Sequence, residues 1–271
     1  MEACLNQATV IQCGTETFLK ASHEAGFRCV ELRSQKLDEY LLHRSHSQLR
    51  RLVRDLGMRI ATLNGLEFFS LVPEDNYPFM LKRAEYQLVL CHSLEISDLV
   101  LVPSMNPDGI VTGAVIDKTV RTVGLVSKMA KKMGVRVDLE IVGNPSFSLR
   151  KIDEALIVLE RLQDENVFLA LDNLCLYEGE NETDEVRKIP VEKIAIVHAN
   201  DARKKSVRDY TLQERLFPGD GDLELKTFYG ILKEKEYRGP VSVEIFNEEI
   251  WAKDPKEAAQ RAWQSIQRFL H

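Results

Sequence analysis

Four short apolar runs in this chain each end on a side chain able to bind a metal ion, and that pattern constrains the fold most. Lys193 to Asp201 reads KIAIVHAND, in which Ile194-Ala195-Ile196-Val197 leads into His198. Short runs rich in β-branched residues suit strands buried on both faces. VRVDLE closes on Glu140, VFLALD on Asp172 and GPVSVE on Glu244. Four strands that finish alike imply one site, assembled along a single edge of a sheet.

The rest of the chain alternates between strand-like and helix-like stretches. Further strands are predicted at Cys4 to Ala8, Arg28 to Arg33, Met58 to Asn64 and Asp98 to Val102. Helices are predicted at Thr15 to Ala25, Ser47 to Leu56, Tyr77 to Leu94, Ala114 to Met133, Leu149 to Leu162, Asp222 to Lys235, and from Asp254 or Pro255 to Leu270. Gly26, Gly57 and Gly134 stand where three of them would stop. The polar piece Glu178 to Glu185 leaves the helix after Asp172 short.

Eight strand–helix pairs with no linker or composition break predict an α/β chain folded as one (β/α)8 barrel domain over residues 1–271. A dinucleotide-binding doubly wound sheet would want GxGxxG after its first strand, and CLNQATVIQCG has none; a P-loop is absent as well. Barrel sites form at the C-terminal ends of the strands, which is where the four ligand-type residues stand.

Composition limits the partners. A net charge of −6 argues against nucleic acid or an anionic membrane surface. No stretch nears the roughly 20 apolar residues of a membrane span. MEACLNQATV lacks the layout of a signal peptide, and five cysteines without a CxxC spacing fit neither a disulfide framework nor a zinc finger. A reduced, cytoplasmic setting is the expectation.

Two Glu, one Asp and one His make a mixed oxygen and nitrogen shell that accepts Mn²⁺, Co²⁺ or Zn²⁺. An ion held there polarises a carbonyl and acidifies the adjacent C–H, while a carboxylate moves the proton. Each residue also has a plainer reading. Asp172, ahead of Asn173, suits a helix cap, and a lone buried His is often a satisfied core group. Together the four favour a metal site, because buried carboxylates are costly without a cation or hydrogen bonds.

Other residues carry two readings each. Glu31 and Arg33 read either as an ion pair near the barrel mouth or as substrate contacts. Asn6 and Asn64, at strand ends, suit hydrogen bonds to a polyol. Arg215, before Pro218-Gly219-Asp220-Gly221, is the cationic candidate for an anionic intermediate or else a solvated loop charge. Phe68, Phe69 and Trp251 either wall a pocket or pack loops. Cys175 stands close to Asp172 and lines the pocket, with no nucleophile signature around it. His23, His43, His46, His92 and His271 have no partner pattern and read as ordinary.

These strand ends resemble the sugar phosphate isomerase/epimerase superfamily, the xylose-isomerase-like TIM barrels, with the nearest likeness to the inosose (2-keto-myo-inositol) isomerases of inositol catabolism. The likeness runs through LNQAT, VELR, TLNGLEFF, LEIVGNP, LDN, HAND, RLFPGDGDL and VSVEIF, over essentially the whole chain. It implies one divalent metal ion (Mn, Zn or Co) on Glu140, Asp172, His198 and Glu244. It also implies that Glu140 and Glu244 act as the acid/base pair, through a metal-bound cis-enediolate, on a keto-polyol or ketose of inosose type.

Arg215 matches the superfamily's substrate-contacting arginine, and Asn6, Asn64, Glu31, Cys175 and Trp251 are the further substrate-binding candidates. The chain departs from the pattern at Cys175 and Asn144, where relatives carry His, at Ser146, where ketohexose epimerases carry Glu, and at Asn247, where the inosose enzymes carry Arg. A dehydratase on the same scaffold and a non-catalytic sugar-binding barrel are the competing readings. The expected partner is a small molecule, with no nucleic acid and no membrane, and a homodimer is compatible with the sequence. A metal-dependent nuclease would need more His ligands and a basic groove, and the sequence offers neither.

Overall fold

A computed structural model describes residues 1–270; His271, expected to be an ordinary histidine, lies outside them. Eight parallel strands close into a barrel in sequence order. They are β1 (Glu2–Asn6), β2 (Cys29–Arg33), β3 (Arg59–Glu67), β4 (Asp98–Val102), β5 (Arg136–Glu140), β6 (Val167–Asp172), β7 (Ile194–Ala199) and β8 (Pro240–Val243). Ten α-helices surround them among the described residues: α1 (Thr15–Ala25), α2 (Ser34–Leu41), α3 (His46–Asp55), α4 (Tyr77–Leu94), α5 (Thr112–Lys132), α6 (Ile152–Leu162), α7 (Asn173–Glu178), α8 (Leu225–Glu234), α9 (Glu248–Trp251) and α10 (Pro255–Leu270). No helix of the described residues is long and apolar enough to cross a membrane.

Strand side chains alternate between two faces, and this chain uses the alternation to separate packing from chemistry. On β5, Val137 and Leu139 join the large core between sheet and helices, as do Val167, Leu169 and Leu171 on β6 and Val241 and Val243 on β8. The residues between them, Asp138, Glu140, Ala170, Asp172, Ser242 and then Glu244, therefore face the barrel axis. Part of the interior is filled by two small clusters, Cys4 with Cys29 and Ala61, and Val100 with Ala170 and Ile196. One face of each strand holds the helices on, and the other is free for polar residues.

Several boundaries differ from the sequence prediction. The first strand lies two residues earlier, because Asn6 stops it: its Oδ1 accepts from the Ala8 amide at 2.8 Å and turns Gln7–Val10 into a 3₁₀ helix. Helix α2 was not predicted. It is amphipathic on only one short turn, burying just Ser34 and Leu37, which is too little periodicity to read. Strand β3 continues to Glu67, so Asn64 lies inside a strand rather than at its end. Asp222 does not cap α8; its carboxylate is taken by Arg203 Nη1 and the Lys204 amide, and the helix starts at Leu225.

Candidate metal centre

Glu140 and Asp172 end their strands, His198 stands one residue before the end of β7, and Glu244 directly follows β8. Strand register sets them side by side: Asp172 pairs with His198, His198 with Ser242, and the Glu244 amide donates to Ala199 O at 3.0 Å. One ligand atom from each of the four lies within 4.8 Å of the others, and all four residues are buried. The four residues singled out in the sequence thus meet at one point.

His198 is held from both sides. Its Nδ1 lies 3.0 Å from Glu140 Oε1 and 3.6 Å from Glu244 Oε2, so this nitrogen faces the cluster. Its Nε2 points the other way, 3.1 Å from Glu31 Oε1. Burial opposes a charged imidazole, but Glu31 and Glu244 outweigh it and raise the His198 pKa well above its ordinary value. Burial likewise opposes charge on Glu31, yet His198 and the hydroxyl of Ser242, which donates at 2.9 Å, hold that carboxyl down at about 2.

Asp172 serves two purposes at once. Its Oδ1 accepts from the Cys175 amide at 2.9 Å and caps α7, while its Oδ2 accepts from Asn200 Nδ2 at 2.9 Å. The cap and the ligand-type readings of Asp172 are therefore compatible. Arg215 Nη1 also lies 2.9 Å from that Oδ2 and 2.7 Å from Glu244 Oε2, bridging two of the four residues. Burial raises the Glu244 pKa, with His198 and Arg215 drawing it back.

The loop that delivers Arg215 is built on Asp201. That carboxylate accepts from the amides of Ala202, Gly219 and Leu223 at 2.8, 2.9 and 3.1 Å. Gly221 passes so close that a Cβ there would sit 2.3 Å from Asp201 Oδ1, so only glycine fits. Asn247 Nδ2 donates to Arg215 O at 3.1 Å, and the guanidinium stacks 5.0 Å from the Phe246 ring. Arg215 is a buried, braced cation and not a solvated loop charge.

The other predicted residues divide. Asn6 Nδ2 donates to Glu244 Oε1 at 3.0 Å, and Asn64 Nδ2 to Glu31 Oε1 at 3.2 Å, so both brace carboxylates of the site. Of the two readings for Glu31 and Arg33, the ion pair between them does not form: Arg33 pairs with Glu67 at 2.7 Å and donates to Asn64 Oδ1, whereas Glu31 turns inward to His198. Phe69 is fully buried in the core and walls nothing, while Phe68 is half exposed and stacks on Phe147. Trp251 Nε1 donates to Ala8 O at 2.8 Å, tying α9 to the turn after β1.

Cys175 is buried, and burial and Asp172 push its thiol well up, with Arg215 Nη2 at 3.7 Å from Sγ. It is not an activated nucleophile.

A family model described as xylose isomerase-like TIM barrel matches residues 19–269. The chain belongs to that family. It is 28% identical to an inosose isomerase of Halalkalibacterium halodurans over 97% of this chain and 94% of that one. It is 29% identical to a 3-dehydroshikimate dehydratase of Pseudomonas aeruginosa over 89% of this chain, though over only 38% of the longer relative. Among solved structures, the IolI protein with a binding zinc atom superposes at a TM-score of 0.96, with 25% identity, over 100% of this chain and 98% of that one.

Within this xylose isomerase-like barrel the donor set fits a divalent cation. Four carboxylates, those of Glu31, Glu140, Asp172 and Glu244, crowd around one imidazole and one guanidinium, an excess of negative charge that a buried site tolerates poorly.

Sequence reading missed four contributors. Asn200 holds Asp172 and also accepts from Asn173 Nδ2 at 3.0 Å, Ser242 holds Glu31, and Phe246 carries Arg215. The fourth is Glu178, a buried carboxyl at the end of α7 that burial pushes up to about 7, against the opposing pull of Arg215. Asn200 and Ser242 had a signal, since both stand two residues from a ligand-type residue on the same strand face.

Proposed function

We propose that this protein is a divalent-metal-dependent isomerase or epimerase acting on a keto-polyol or ketose of inosose type. The observation that carries the reading is the convergence of Glu140, Asp172, His198 and Glu244 within 4.8 Å at the C-terminal mouth of the barrel. These four would hold the ion, and its presence would supply Lewis-acid polarisation of a substrate ketone and its neighbouring hydroxyl. The named inosose isomerase relative and the zinc bound by the IolI protein support this choice.

The chain's own residues then divide the work. Glu140 and Glu244 flank His198 and form the acid/base pair, one taking the proton from the hydroxyl-bearing carbon next to the ketone and the other returning a proton. Arg215, fixed beside Glu244, offers its guanidinium to the negative charge that develops on the substrate oxygens. Asn6 restrains Glu244 from the opposite side, which sets where that carboxylate meets the carbon.

The test is deuterium exchange in D₂O, followed by NMR, on a panel of inososes and ketohexoses with protein reloaded with Mn²⁺, Zn²⁺ or Co²⁺. The expected result is metal-dependent deuterium uptake at the carbon beside the ketone, lost in Glu244→Gln. Exchange that survives Glu244→Gln overturns the acid/base assignment, and no exchange despite bound metal favours a binding barrel. The relationship to a named 3-dehydroshikimate dehydratase supports a second reading, in which the same deprotonation is followed by loss of a β-hydroxyl as water. That reaction yields a conjugated chromophore in the ultraviolet, whereas isomerisation does not.

A further inference from the structure

We propose that Glu31 is the positioning residue of the metal centre: from β2, across the barrel, it fixes which nitrogen of His198 faces the cation. This rests on the cation site proposed above. The sequence left Glu31 as an ion-pair partner of Arg33 or a substrate contact, and in the structure it pairs with His198 instead of Arg33. It is fully buried, and both of its oxygens are engaged. Oε1 lies 3.1 Å from His198 Nε2 and accepts from Asn64 Nδ2 at 3.2 Å, and Oε2 accepts from Ser242 Oγ at 2.9 Å.

Imidazole can present either nitrogen to an ion, and the choice is made by what the other nitrogen bonds. Here Nδ1 looks at Glu140 and Glu244, and Nε2 looks at a carboxylate that can only accept. Both nitrogens face carboxylates in the ion-free protein; a cation at the cluster would displace the hydrogen from Nδ1, while Nε2 keeps its own for Glu31. A carboxylate accepting from a neutral imidazole also makes the remote nitrogen more basic, hence a stronger ligand.

Ser242 is what holds Glu31 in place for this. It stands two residues before Glu244 and pairs in register with His198, so β8 and the residue directly after it supply the brace for one ligand's partner and one candidate ligand. Asn64 adds a second brace from β3, and Arg33 in turn orients Asn64 by donating to its Oδ1 at 2.8 Å. The chain Arg33–Asn64–Glu31–His198 thus links β2 and β3 to the cluster through successive side-chain contacts.

The test compares chelator-treated wild type, Glu31→Gln, Glu31→Leu and Ser242→Ala, titrated with Zn²⁺ by calorimetry. It also follows the ring nitrogens of His198 by ¹⁵N NMR in the zinc-loaded proteins. Glu31→Leu is expected to bind Zn²⁺ roughly 10- to 100-fold more weakly than wild type, the usual cost of an outer carboxylate. Glu31→Gln, which keeps an acceptor oxygen, is expected to recover most of that loss, and Ser242→Ala to fall between. In the wild type the NMR should show a protonated Nε2 and a coordinated Nδ1.

Wild-type affinity in Glu31→Leu, or coordination through Nε2, overturns the proposal. Should Glu31→Leu not fold, the wild-type NMR pattern and the Gln and Ala titrations decide it. A wild type that takes up no zinc would refute the metal reading itself, which is a different result from a wild type that binds and variants that bind equally.

Discussion

Two carboxyl groups stand two residues apart on β5, on the same inward face, and meet different surroundings. Glu140 is at the mouth, 3.0 Å from His198, in a ring of acids compensated by an imidazole and by Arg215. Asp138 is one layer deeper, fully buried, and neither of its oxygens meets a hydrogen-bond donor. Burial, reinforced by the nearby charge of Asp98, pushes the Asp138 pKa well above the usual carboxylate range, which favours the neutral form. The cost of burying a carboxyl has two remedies, a cation or a proton, and this barrel uses one in each layer.

The largest effect should come from removing the cation that bridges the mouth. Arg215→Met leaves Asp172 and Glu244 buried without it, and urea unfolding of chelator-treated protein should show a loss of about 3–5 kcal/mol. Saturating Zn²⁺ should return much of it, since a bound ion neutralises the same oxygens and stabilises only the folded state. An equal loss with and without zinc would break the comparison, because the mouth acids would then not depend on positive charge.

The deeper layer should respond to pH instead. A folded-state pKa raised above the unfolded value gives stability that is complete below the unfolded pKa and is lost as pH rises through the folded one. Asp138→Asn carries no such loss, so its stability relative to wild type should climb with pH, at most about 1.4 kcal/mol per pH unit. Urea midpoints measured from pH 4 to pH 9 check this. A constant difference would mean that Asp138 is ionised in the folded protein.

The smallest effect belongs to Glu178, which stands between the two cases. Burial raises it, Arg215 lowers it without winning, and it titrates at about 7. Glu178→Gln should match wild type near pH 4 and gain steadily above the unfolded carboxylate range, levelling off above pH 7. A gain that continues to rise well past pH 7 would place Glu178 with Asp138, and no gain at all would mean that burial does not raise it.

The comparison also shows what the sequence could and could not display. RVDLE offers Asp138 and Glu140 with identical spacing, and only the strand-end position of Glu140 marks it out. That signal worked for all four clustered residues because strand ends in a barrel converge on one mouth. It did not work for Glu31, whose partners His198 and Ser242 lie 167 and 211 residues away and leave no local periodicity. Helix α4 and strands β4 and β6 were legible to their bounds, whereas α2 and the 3₁₀ turn after β1 depend on a single buried turn and on one side-chain cap.

One hydrogen bond gives the site an order of assembly. Asn6 on β1 reaches Glu244 beyond β8, 238 residues later, across the seam where the barrel closes. Glu140, Asp172 and His198 are all synthesised before that seam can form, yet the fourth oxygen and the group that steers it arrive only with it. A half-made chain can offer an ion three loose donors and no enclosed shell. Glu244 meets Asn6 only where the barrel is closed, so an ion that prefers the full set would stabilise finished barrels and give nothing to those still open.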